Sequence, residues 1–137
     1  MISFFLDCVP PTTTAQQKGV SRGRFFTKAK VKDAERLYCT LLVPHRPKAP
    51  LTGPLSAEIT FTFPFRNGES KSVIAQGWMP HDKRPDCSNL VKLFEDCMGI
   101  VGFFGDDGQI ADLRVRKGWG KKPGIGVTIV AFTHFEP

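Results

Sequence analysis

The stretch Glu58-Ile59-Thr60-Phe61-Thr62-Phe63-Pro64-Phe65 constrains this chain more than any other. Side chains of an extended strand alternate between two faces. Ile59, Phe61, Phe63 and Phe65 therefore share one face, and the polar residues between them share the other. That pattern predicts a half-buried strand, ended or placed at an edge by Pro64, which has no N–H to give a neighbour. An aromatic face of this kind has to be covered, so the chain must build a sheet with a layer against it.

The remaining periodicities supply the other elements. Ile2 to Leu6 reads as a first strand, closed by Pro10-Pro11. Thr12 to Thr27 is polar and without period, a loop or irregular ribbon. Ala34, Leu37, Tyr38, Leu41 and Leu42 recur at helical spacing, which predicts a helix from an N-cap near Thr27 to just before Pro44. Lys28, Lys30 and Lys32 oppose the dipole of its first turns, which leaves a nearby phosphate or plain solvation as their reason. The proline-rich run from Pro44 to Pro54 is a connector. Asn67-Gly68 is a turn, and Val73 to Trp78 suggests a short strand. Leu90, Leu93, Phe94, Cys97 and Met98 mark a second helix, about Ser88 to Met98, with Gly99 as its C-cap. Ile110 to Lys117 alternates, with Asp112, Arg114 and Arg116 on one face. Gly118 to Gly124 reads as a turn, and Ile125 to Thr133 as a buried or central strand. The expected class is α/β in content, of the α+β kind: one mixed sheet with two helices packed on it.

Composition narrows the function. The 137 residues suffice for one domain and not for two, and 41% hydrophobic content sustains a core. A net charge of +6 suggests a polyanionic partner, although a basic protein with no such role has the same composition. Cys8, Cys39, Cys87 and Cys97 form no C-x-x-C pair, so a zinc ribbon is disfavoured and buried structural thiols are expected. No apolar run approaches the ~20 residues of a membrane span, and the opening lacks the pattern of a secretory leader. The expectation is a cytosolic protein with free thiols and no membrane partner.

Chemistry concentrates in Lys83-Arg84-Pro85-Asp86-Cys87-Ser88-Asn89-Leu90-Val91-Lys92 and Gly105-Asp106-Asp107-Gly108-Gln109-Ile110. Asp86 opens the second helix and Lys92 lies a turn and a half further on. Asp106 and Asp107 occupy the turn after the helix. They reach its front half only if the chain from Ile100 to Phe104 returns extended, because an extended residue covers about 3.3 Å and a helical one 1.5 Å. If they meet, the result is a carboxylate cluster beside a lysine. Hard cations such as Mg²⁺ take such oxygen ligands, with substrate phosphate completing the shell. The same residues also suit purely structural work. Asp86, Ser88 and Asn89 are N-cap types, Asp-Asp-Gly is a turn, and Lys92–Asp96 is an i,i+4 pair.

The pattern R-P-D-x-x-N-L-x-K, followed about twenty residues later by D-D-x-Q-I, resembles the RusA family of endodeoxyribonucleases. The resemblance is tightest over roughly residues 80 to 130 and looser in the amino-terminal half. It implies a small homodimer that binds four-way (Holliday) junctions and related branched DNA, and cuts them with Mg²⁺ or Mn²⁺, in a bacterial or phage-infected cytoplasm. It implies Asp86 and Asp107 as metal-binding and catalytic carboxylates and Lys92 as the catalytic lysine. Lys117 matches a basic position after the D-D strand. Ser88 stands where the family pattern has a second aspartate, and a neutral hydroxyl is a weak Mg²⁺ ligand. Asp106, or a water held by Ser88, then completes the site. The alternative is a protein of this fold that binds branched DNA and cuts it weakly or not at all.

Basic residues fall in three runs, Lys18 to Lys32, Lys83 to Lys92 and Arg114 to Lys122. Lys18, Arg22, Arg24, Lys83, Arg84, Arg114, Arg116 and Lys117 are the candidate contacts to phosphate backbone. Trp78 and Trp119 are expected in loops, as anchors or as platforms for unpaired bases. Phe103 and Phe104 read as core or dimer interface. His81 reads as a phosphate contact or as functionally silent.

Overall fold

Strand β4, Leu55–Pro64, buries Leu55, Ala57, Ile59, Phe61 and Phe63 on one face, as the alternation demands. The computed structural model describes residues 1–13, 19–21, 24–26 and 29–132, with 19–21 and 24–26 described by their backbone alone. The class is α+β, and the contacts divide the chain into two units.

The first unit comprises Met1–Pro10, Gly53–Arg84 and the chain from Ile110 onward. It contains a five-stranded sheet in the order β1-β7-β4-β6-β5. The outer strands are β1 (Ile2–Leu6) and β5 (Trp78–Pro80), and the inner partners of β4 are β6 (Ile110–Gly120) and β7 (Gly124–Ala131). β4 pairs antiparallel with β7 and parallel with β6, so the sheet is mixed and β4 is central, not an edge. Pro64 closes the strand instead of edging it. Register aligns Ile59 with Val127 and Ala57 with Ile129, so the apolar rows of the two strands coincide. On the opposite face Glu58 faces Arg114 and receives the Arg116 guanidinium as an ion pair.

Local expectations fail at two stretches of backbone in this unit. Lys71–Gln76 forms a short helix (α2) where a strand was expected from Val73 and Ile74. Ser70 caps it by accepting the Val73 N–H, and Gly77 at φ +84° ends it, so end signals outweigh β-branched propensity. Gly118 to Gly120 is not a turn but the end of β6. There the glycines make room for the Trp78 indole, which occupies the space a Gly118 Cβ would need.

The second unit comprises Pro11–Thr52 and Pro85–Gln109. Strands β2 (Gly19–Ser21) and β3 (Arg24–Phe26) form an antiparallel ribbon. Helix α1 runs from Ala29 to Leu42 and continues as one 3-10 turn, Val43–His45. The N-cap expected near Thr27 lies outside the described residues. Its buried row is Val31, Ala34, Tyr38 and Leu42, while Leu37 is exposed, so the stripe is rotated from the expected one. Helix α3, Cys87–Val101, packs Phe94 edge-on against Tyr38, with ring centroids 5.1 Å apart. Burying side chains of this size stabilises by roughly 1.5–3 kcal/mol each. Cys97 is buried with its thiol on the Glu35 carbonyl, while Cys8, Cys39 and Cys87 are only half-buried. All four thiols are free.

Gly124 faces Phe5 and the Leu6 carbonyl, whose oxygen would lie 2.5 Å from an added Cβ, whereas Gly126 has open space. Gly124→Ala is expected to cost about 1–3 kcal/mol by overpacking, and Gly126→Ala much less. Denaturation midpoints of the two variants test this, and equal midpoints would refute the β1–β7 packing.

Candidate active site

Asp86 is the N-cap of α3, with extended backbone, and its carbonyl accepts the first helical bond from the Leu90 N–H at 3.0 Å. Its carboxylate, however, makes no capping hydrogen bond and is exposed. An aspartate at a helix N-terminus ordinarily satisfies an orphan N–H there. Here the side chain is left available, on the positive end of the helix dipole. Ser88 follows in the first turn, exposed, and Lys92 stands further along with 58% of its side chain accessible.

The carboxyl end of α3 lies three residues beyond the expected stop. Gly99 remains helical, with the Phe104 ring close to where its Cβ would be, and the left-handed cap is Gly102 at φ +98°. Phe103 and Phe104 are both buried, and the Leu51 N–H donates to the Phe103 carbonyl at 2.9 Å. Both phenylalanines are therefore core.

Beyond them the chain turns through Gly105–Gln109. The Gln109 Oε1 accepts from the Gly105 and Asp106 N–H groups at 2.9 and 3.1 Å, and its Nε2 donates to the Leu51 carbonyl at 3.0 Å. Asp106 Oδ1 accepts from the Gly108 N–H at 3.0 Å. The adjacent aspartates thus divide the work. Asp106 closes the turn, and Asp107 extends its carboxylate to the Lys92 ammonium at 3.3 Å.

Lys92 is shared, because Asp96 Oδ1 also lies 3.3 Å from its Nζ. The hydrogen bond it donates to Asp96, and after it the one to Asp107, holds the ammonium above the usual lysine range, so it stays charged at neutral pH. Two carboxylates occupy two of its three N–H donors, and the third is available to a phosphate oxygen. Glu95, which the spacing argument passed over, lines the same cleft with Asp96, Asp106 and Asp107. Burial, and then the Asp107 charge, raises its carboxyl above the ordinary value. Its position three residues after Lys92 was the available signal.

The fold joins Lys92 to Asp107 and Asp96. The Asp86 carboxylate has no ion-pair partner among the described residues, and no group of three or more His, Cys, Asp or Glu side chains there forms a ready-made metal cage. The donors present are oxygens, and Mg²⁺ characteristically takes one or two carboxylates with waters and substrate phosphate, not a full protein cage. An uncapped aspartate and a second one held by an ammonium fit that ion in donor type.

Comparison with known proteins decides the family. The model for "Endodeoxyribonuclease RusA" matches residues 9–130, most of the chain and both units. The chain belongs to the RusA family. It is an endodeoxyribonuclease, a hydrolase of DNA phosphodiester bonds. The RusA-family chain is 28% identical over 106 residues to the "Uncharacterized protein YqaN" of Bacillus subtilis (strain 168), which covers 74% of each chain. It is also 28% identical over 120 residues to the "Crossover junction endodeoxyribonuclease rusA" of Lactococcus phage r1t, over 83% of this chain and 84% of the phage protein.

In its first unit this RusA-family protein places several of the sequence candidates. Lys83, Arg84 and Arg114 are exposed, and Arg116 is exposed but paired with Glu58. The Lys117 ammonium donates to the Lys83 carbonyl. Lys18 and Arg22 lie outside the described residues, as does the side chain of Arg24. Both tryptophans sit in paired strands, not loops. Trp119 is 4% exposed, with Arg66 over its ring at 3.9 Å and His81 stacked on it at 4.1 Å. A ring so covered is an anchor and cannot stack on a base. Trp78 is 37% exposed and donates to the Thr62 hydroxyl. Among the described residues no helix is long and apolar enough to cross a membrane.

His81 is structural by its contacts. Its Nδ1 accepts the Lys83 N–H at 3.0 Å and its own backbone N–H donates to the Lys117 carbonyl. Burial, and next the Lys117 charge, lowers its pKa from 6.5. Protonation would also put a proton on the accepting nitrogen. A depressed folded value means that the unfolded chain takes up the proton first. Stability is therefore whole above pH 6.5 and falls as pH drops below it. His81→Gln keeps an acceptor without titrating and is expected to flatten the midpoint-versus-pH curve between pH 7 and 5. Unchanged slopes would contradict this assignment.

Proposed function

We propose that this RusA-family nuclease binds four-way DNA junctions and related branched DNA as a homodimer and cuts them with Mg²⁺ or Mn²⁺. It would act in a bacterial or phage-infected cytoplasm. The observation that carries the reading is the Lys92–Asp107 contact, which joins residues fifteen positions apart, Asp107 being one of the acidic residues that line a cleft. The name of the phage relative, a crossover junction endodeoxyribonuclease, supports the substrate. The family model runs through both units, which supports treating residues 1–137 as one working nuclease domain.

Asp86 and Asp107 would hold the metal, with Asp106 and Ser88 as further oxygen donors. When bound, the ion supplies Lewis-acid polarisation of the phosphate and a water of lowered pKa. The chain's own residues do the rest. The Lys92 ammonium stabilises the charge that builds on the phosphate oxygens as the phosphorus becomes crowded. Asp96 and Asp107 keep that ammonium oriented and charged. Lys83 and Arg84, immediately before Asp86 in the chain, and Arg114, Arg116, Lys117, Lys18, Arg22 and Arg24 would neutralise phosphates and set the DNA register. Two identical sites in a symmetric dimer would suit two cuts on opposing strands.

Ser88 carries a second reading. It is exposed where a carboxylate would add a metal ligand, and a protein that holds junctions yet cuts them slowly fits that loss.

Strand-resolved gels on a mobile four-way junction, with and without Mg²⁺, test both readings. Asp86→Asn, Asp107→Asn and Lys92→Met are expected to lower Mg²⁺-dependent cleavage on the order of 10²-fold or more while junction binding persists. Wild-type rates in the aspartate variants would sink the site. A large gain in cleavage from Ser88→Asp would favour the second reading, and no gain in an active protein would favour the first. Junction binding should weaken steeply as salt rises.

A further inference from the structure

The turn that carries Asp107 is closed by the Gln109 N–H on the Asp106 carbonyl, by the Asp106 carboxylate and by the Gln109 side chain. Gln109 uses its whole amide: Oε1 accepts two successive backbone N–H groups, from Gly105 and Asp106, and Nε2 donates to the Leu51 carbonyl. Leu51 is itself tied to the strand-like Phe103–Phe104 segment, by its N–H to the Phe103 carbonyl and by a parallel bridge to Phe104. The base of the turn is therefore locked by two buried rings, and the Gln109 amide is the side chain that ties the turn to Leu51. One Asp106 oxygen, Oδ1, is used inside the turn by the Gly108 N–H. What emerges is the Asp107 carboxylate, 3.3 Å from Lys92.

We propose that Gln109 is a positioning residue for the nuclease reaction, whose amide holds the Gly105–Gly108 turn so that the Asp107 carboxylate meets Lys92. The proposal rests on the reading of Asp107 and Lys92 given under Proposed function. Only an amide of this length meets the demand. A carboxylate accepts the two N–H groups but cannot donate to Leu51, and it adds charge beside Asp106. An alanine leaves two donors and one acceptor to water and frees the turn tip. The three hydrogen bonds of its side chain go to backbone groups of Gly105, Asp106 and Leu51, so they act on Asp107 through the backbone of the turn. A displacement of about 1 Å in a reacting group suffices to cost on the order of 10²-fold in rate.

The test compares wild type, Gln109→Ala, Gln109→Met and Asp107→Asn on a four-way junction. Three quantities are read: junction affinity without metal, the single-turnover cleavage rate at saturating enzyme, and the Mg²⁺ concentration for half-maximal rate. A fourth, taken on metal-free protein, is the ¹³C shift of the Asp107 carboxyl. Positioning predicts that Gln109→Ala keeps junction affinity within about threefold, loses on the order of 10²-fold in single-turnover rate, and needs more Mg²⁺. The Asp107 carboxyl signal should move toward that of a free aspartate. Gln109→Met keeps the volume and drops only the hydrogen bonds, so it should behave like Gln109→Ala and carries the comparison if the smaller side chain fails to fold. Near-wild-type cleavage in both Gln109 variants, with Asp107→Asn inactive, overturns the proposal alone. Wild-type cleavage in Asp107→Asn overturns the underlying reading and the proposal with it. Unfolding of both Gln109 variants, or a loss confined to junction affinity, also overturns it, because the residue would then serve stability or binding and not placement.

Discussion

At Gly102 the chain leaves α3 through a left-handed residue and turns back along the helix it has just completed. Everything in the site follows from that reversal. Phe103 and Phe104 come next and are buried, so the returning segment is anchored by apolar contact before it reaches any charged group. The chain runs back through Phe103 and Phe104, the latter bridged to Leu51, and enters the Gly105–Gln109 turn, where Asp107 arrives beside Lys92. A helix ending at Met98 would have shifted that arrival by most of a turn.

Charge is managed within the cleft instead of being neutralised everywhere. Lys92 holds Asp96 and Asp107, while burial, and then the Asp107 charge, pushes the Glu95 carboxyl above the ordinary value. The Asp86 carboxylate is left uncapped at the other end of the helix. In the first unit, by contrast, the aromatic stack of Arg66, Trp119 and His81 is closed and serves stability. It also ties down Lys83 and Lys117 through backbone bonds.

Much of this was legible in the residues. The alternation of β4 announced a sheet, and the helical spacing of Leu90, Leu93, Phe94 and Cys97 announced α3. The R-P-D-x-x-N-L-x-K and D-D-x-Q-I patterns pointed to the family that the comparison identifies. Other features were hidden because two local signals competed. Val73 and Ile74 favour a strand, yet Ser70 and Gly77 cap a helix around them. Gly99 is a plausible stop, yet Ile100 and Val101 extend the helix and Gly102 takes the positive φ. The glycines around Trp119 looked like a turn because the indole of Trp78, from another strand, fills the space they leave.

Sequence alone determined which residue types were available and on which elements they sat: a carboxylate at a helix start, a lysine within that helix, and two aspartates in a turn. Period and capping chemistry are local, so they can be read without coordinates. Tertiary structure alone decided which of the two neighbouring aspartates would meet Lys92. Asp106 bonds within its own turn, and Asp107 reaches Lys92 from a turn that the Gln109 amide ties to Leu51, far away in the chain. Hydrogen bonds between distant segments leave no periodic trace, and that choice could be made only by the folded chain.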